Sequence, residues 1–119
     1  MMTTSRPPRT VDVHAHAVPA ALLTGDRRVR LGSRLTPPVP GALTDVRARI
    51  AEMDRTGVDV QVVSPWLELS PDDLAPGAAT AFLDDLDEAM AAVVATRPDR
   101  LLALSLLDRH DPVAAADRL

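Results

Sequence analysis

His14 and His16, in the stretch "TVDVHAHAVP" (Thr10 to Pro19), are the side chains of this sequence whose type and spacing best suit chemistry. The chain has only three histidines, so two of them within three residues is a local concentration. On a strand, residues i and i+2 point to the same side, with Cα atoms roughly 6.5–7 Å apart. Imidazoles at that separation can lean together and set two nitrogens about 2.0–2.1 Å from one Zn²⁺. Strand alternation expects Val11 and Val13 on one side, with Asp12, His14 and His16 on the other. Asp12 would then orient a ligand or help the metal shell. The plainer alternative is a pair of surface imidazoles, or histidines satisfied within a core. D-x-H-x-H closing a strand and followed by a long loop is far more specific than a bare H-x-H. That end of a strand is also where ligands bind in parallel α/β folds.

Other residues have weaker claims. Arg27, Arg28, Arg30 and Arg34 lie in "DRRVRLGSR", where one could clamp a substrate carboxylate bidentately. A solvated, Arg-rich loop explains them equally simply, because every basic residue of the chain is Arg. Trp66, the only tryptophan, follows Ser64 and Pro65 at the end of a second apolar run. It would either wall a substrate pocket or pack against the first long loop. Asp59 and Gln61 alternate with valines and suit a polar network without assigned chemistry. His110, beside Asp111, reads as a residue leading into a helix. No Gly-rich phosphate loop or G-x-S-x-G elbow is present.

The elements that must position these residues follow from periodicity. Thr10 to about His16 reads as a strand, followed by an irregular stretch from Ala17 to Leu43 rich in Gly and Pro. A loop that long is either functional or disordered. "TDVRARIAEMDRTG" reads as a helix capped by Thr44 or Asp45 and closed by Gly57, with Leu43, Val46, Ile50 and Met53 as its apolar stripe. Val58 to Ser64 is β-branched and reads as a strand. Ala78 to about Thr96 is a second helix, lined by Phe82, Leu86, Met90 and Val93. Asp84, Asp85, Asp87 and Glu88 are expected near its start, where acids complement the helix dipole. Leu101 to Leu107 is apolar almost throughout, as in a strand covered on both faces. Asp111 and Pro112 open a third helix. Strands alternating with helices imply right-handed crossovers and a parallel sheet in an α/β fold.

Composition narrows the classes. The 119 residues suffice for one modest domain, with residues 1–9 as a polar, disordered tail. Hydrophobic residues make up 46% and aromatics only 2%, so Ala, Leu and Val must fill the core. The absence of cysteine excludes disulfides and thiolate metal sites, leaving nitrogen and oxygen ligands. A net charge of −4 argues against nucleic-acid binding. No signal-like segment or membrane-length apolar run occurs, so a cytoplasmic protein without membrane or nucleic-acid partners is expected.

"VDVHAHAVP", "RIAEMDRTGVDVQVVSP", "LDEAMAAVVATRPDRLLAL" and "HDPVAAADRL" together resemble the opening of the amidohydrolase-related metal enzymes. The similarity is greatest to aminocarboxymuconate-semialdehyde decarboxylase and related aromatic-acid decarboxylases. It runs from Val11 to Leu119, apart from the variable loop at 17–43. The resemblance implies a (β/α)₈ TIM barrel with a divalent metal, most often Zn²⁺, at its C-terminal face. His14 and His16 match the two first-strand ligands. A further His and Asp ligand and an acid/base His would come from later strands, beyond residue 119. The chain would thus form the first three β/α units, residues 10–119, of a barrel of about 250 residues. Its Asp87 and Asp108 stand where such enzymes often have Asn and Pro.

The expected activity of the full-length protein is decarboxylation, before hydrolysis, of a small carboxylate-bearing substrate. A homodimer is an open alternative for its assembly. The rivals are another H-x-H barrel, a phosphoesterase or TatD-like nuclease, and an inactive fragment or non-catalytic binding module. The "HAVP" continuation and the "MDRTGVDVQVVSP" block argue against the first rival. Two imidazoles alone leave a four-coordinate site half empty, which keeps the second open.

Overall fold

The computed structural model describes residues 9–119. The expected disordered tail at residues 1–9 therefore lies, apart from Arg9, outside the described residues. Strand β1 (Val11–Ala17) leads into the long connection, which is folded on itself. It carries a small antiparallel hairpin of β2 (Arg30–Leu31) and β3 (Arg34–Leu35), turning at Gly32, whose φ is +61°. Val29, Leu31, Thr36 and Val39 are buried there. The Thr36 hydroxyl accepts from Val29 N at 3.0 Å, and Thr36 N donates to Val29 O at 2.9 Å, so this buried polar residue is satisfied. The segment thus supplies core of its own, which its lack of periodicity concealed.

Helix α1 (Val46–Thr56) begins at Asp45, whose carboxylate accepts from Ala48 N at 2.9 Å. It closes at Gly57, with φ of +76° in the left-handed region. Ile50 and Met53 of the expected stripe are buried. Strand β4 (Val60–Pro65) follows, then α2 (Pro76–Thr96), β5 (Leu101–Ala103) and the short α3 (Pro112–Asp117). Asp111 caps α3, accepting from Ala114 N at 3.0 Å. The sheet order is β1-β4-β5, and both pairings are parallel. The chain is a mixed α/β structure built around a parallel sheet.

Two expectations need correction. Helix α2 starts at Pro76, so its acidic residues lie mid-helix and not at the start. There, Arg118 of the chain end donates to Asp84 at 2.6 Å and also to Asp87. The apolar run at 101–107 pairs as a strand only over Leu101–Ala103, and among the described residues the sheet is covered on one face only. Val63, Leu83, Leu86, Met90 and Leu101 fill the space between sheet and helices. On the opposite face Leu102 is 53% and Val11 47% exposed.

Candidate metal centre

The β1–β4 register decides where each candidate points. Asp12 pairs with Gln61, and Ala15 with Val63. Strand β1 takes three steps where β4 takes two, so a bulge at Val13 and His14 adds a residue. Paired residues of a parallel ladder share a face. Gln61 and Val63 share one side, and Leu101, the partner of Gln61, is fully buried on it. Asp12 therefore lies on the helix-covered side. His16 pairs with Ser64 and lies on the open side, with Val11 and Leu102. This corrects the expectation that Asp12 shares a face with the histidines and that Val11 opposes them. The bulge, which simple alternation ignores, is the reason.

The two histidines do come together. Their ring centroids are 5.3 Å apart and their planes meet at 84°, edge to face. His14 is exposed, whereas His16 is half-buried and its Nδ1 is shielded without a hydrogen-bond partner. Among the described residues, no group of three or more His, Asp or Glu side chains is arranged to hold a metal. The pair fits two nitrogen ligands of a cation, with the orphaned Nδ1 as the donor in want of a partner.

Beneath the strand lies a polar network that includes Gln61, as expected, and joins it to Asp12 and Arg49, which the sequence did not reveal. Asp12 Oδ1 accepts from His14 N at 3.0 Å, and Asp12 Oδ2 accepts from Gln61 Nε2 at 3.0 Å. Arg49 of α1 donates to Gln61 Oε1 at 2.7 Å and to the His16 carbonyl at 2.6 Å. The hydrogen bond from the His14 amide, then that from Gln61, holds the Asp12 carboxyl below its ordinary value. Burial draws the Arg49 guanidinium down, while the Asp12 charge acts in the opposite direction. A cleft of about 480 Å³ is lined here by Asp12, His16, Arg49, Glu52, Met53 and Gln61 among others. It includes neither His14 nor Ser64 and backs the strand, so it is not the space in front of the imidazoles.

The remaining candidates are spread out. Arg34 is engaged by Asp73, at 2.6 and 3.0 Å, and by the Glu68 and Ser70 carbonyls, clamping the first connection to the second. Arg28 donates to Thr36 O at 3.0 Å, Arg27 to Thr44 at 3.1 Å, and Arg30 is exposed. Trp66 packs against the hydrophobic core, and its backbone N–H donates to Ala17 O at 3.1 Å, at the end of β1. His110 N donates to the buried Asp108 carboxylate at 3.0 Å, as befits a residue leading into α3.

No family model matches the sequence, and no curated protein matches it. Solved structures do match. A candidate amidohydrolase from Staphylococcus aureus is 20% identical, with a TM-score of 0.68, over 92% of this chain and 32% of its own. The 5-carboxyvanillate decarboxylase of Sphingomonas paucimobilis is 25% identical, with a TM-score of 0.67, over 92% of this chain and 38% of its own. This chain resembles the amidohydrolase superfamily. A third structure, dihydroxybenzoic acid decarboxylase from Polaromonas, carries manganese and the inhibitor 2-nitroresorcinol. It is 20% identical, with a TM-score of 0.68, over 92% of this chain and 33% of its own. The chain thus spans about a third of the length of these three structures.

Proposed function

We propose that this chain is the N-terminal part of a metal-dependent amidohydrolase-superfamily (β/α)₈ enzyme, with His14 and His16 as its first-strand metal ligands. Residues 10–119 would supply the first β/α units, and the other ligands and an acid/base histidine would come from elsewhere in the full-length protein. The observation that carries the reading is the edge-to-face histidine pair at the C-terminal end of β1, with His16 Nδ1 buried and unpartnered. The decarboxylases of similar fold favour carboxy-lyase over hydrolase chemistry on a small aromatic or other carboxylate-bearing substrate. The manganese in one of them supports a divalent cation. Zn²⁺ is our choice for this site on ligand chemistry, because two imidazoles suit it.

A bound divalent cation supplies polarisation of a substrate oxygen and lowers the pKa of water. In this chain His14 and His16 would help to hold it. Both present imidazole nitrogens from the open side of the sheet. Trp66, at the end of β4, would wall the substrate's place if the covering segments bring it there. With only two ligand side chains together, the 119 residues alone would bind metal weakly and turn nothing over.

The test is metal content and decarboxylation of a panel of hydroxylated benzoic acids, measured on the full-length protein and on His14→Ala and His16→Ala. Loss of metal and of CO₂ release in both variants is expected. Unchanged metal content in either variant removes that residue from the site. Metal binding with hydrolysis and no CO₂ release reassigns the reaction.

A further inference from the structure

Resting on that metal reading, we propose that Arg49 is a positioning residue for the His14–His16 pair, acting on their backbone from the helix side of the sheet. The bulge interrupts the ladder to β4 between Asp12 and Ala15, so regular pairing does not fix the peptides of Val13 and His14. A hydrogen-bonded circuit takes its place. It runs from His14 N to Asp12, from Asp12 to Gln61, from Gln61 to Arg49, and from Arg49 to His16 O. Three side chains thereby tie the amide of one ligand to the carbonyl of the other and both to α1.

The residue type at position 49 fits this task. A guanidinium offers several N–H donors in one rigid plane, whereas an ammonium is a mobile point donor. Both acceptors of Arg49, the Gln61 amide oxygen and the His16 carbonyl, are neutral. A half-buried cation directed at two neutral oxygens is placed for geometry more than for charge pairing. Groups that orient metal ligands typically change metal affinity 10–100-fold when removed.

The experiment uses full-length protein, Zn²⁺ titrated against a competing chelator, and the visible spectrum of the Co²⁺ form. Arg49→Met and Gln61→Leu are expected to weaken Zn²⁺ binding about 10–100-fold and to shift the Co²⁺ bands, with far-UV dichroism unchanged. Arg49→Lys is expected to recover part of the affinity, which a purely space-filling role does not predict. Folded Arg49→Met and Gln61→Leu with native affinity and a native Co²⁺ spectrum would overturn the inference. If Arg49→Met does not fold, Gln61→Leu decides alone. His14→Ala separates the two levels. Native affinity in His14→Ala removes His14 from the site, and this inference about the His14–His16 pair with it. Lost affinity there beside native Arg49→Met overturns the positioning role only.

Discussion

His16 carries a cost that His14 does not. Its Nδ1 is buried without a partner, and an unsatisfied buried polar atom costs about 1–3 kcal/mol. The two sides of that cost predict opposite effects for one substitution. In chelator, His16→Leu is expected to stabilise the protein by about 1 kcal/mol, read from the urea midpoint. With Zn²⁺ present, the parent is expected to gain melting temperature, and the same variant is expected to lose that gain. Destabilisation in chelator would mean that the imidazole is satisfied. The histidine pair was legible in the sequence because strand periodicity needs only neighbours. The side on which Asp12 points was not legible. The bulge turns on a carboxylate capturing an amide two residues away, and alternation is blind to that. Arg49 and Gln61 were illegible as a pair because they lie on different elements.

Helix α1 was the element most fully written in the sequence, from its Asp45 cap to its Gly57 stop. Asp45→Ala is expected to cost about 1 kcal/mol of unfolding free energy, measured by denaturant titration. The ends of β5 were less legible, because an apolar run does not reveal which residues have a partner strand. The acids of α2 were misplaced because the helix begins earlier, at Pro76, and their partner Arg118 is remote in sequence. The clamp between the two long connections gives a pH test. The hydrogen bond from Arg34, then a backbone hydrogen bond and the charge of Arg34, hold the Asp73 carboxyl below its ordinary value of 3.8. A carboxyl depressed by folding contributes stability above its unfolded value and loses it as pH falls through the folded one. The parent's urea midpoint should therefore fall below pH 3.8, and Asp73→Asn should flatten part of that fall. Identical profiles would show the pair to be inert, as exposed ion pairs often are.

For the whole molecule, the core lies on one side of the sheet and apolar surface remains on the other. Leu86→Ala, in the fully buried helix–sheet layer, is expected to cost 2–5 kcal/mol, enough to unfold a marginal domain. On the open side, Val11 is 47%, Leu102 53% and Leu104 51% exposed. An isolated 119-residue chain is expected to associate and to bind a hydrophobic dye, and Leu102→Lys should reduce both, followed by light scattering. A monodisperse, dye-free chain would show that this face needs no cover. Among the described residues, no helix is long and apolar enough to cross a membrane, so the exposed face is not explained by a helical span. The extra residue in β1 has one more consequence, for anyone who would graft this motif onto a designed scaffold. Copied as letters into a regular strand, D-x-H-x-H would present a carboxylate beside the imidazoles and create a different ligand set. The irregularity must be transplanted with the histidines, or the borrowed motif becomes another site.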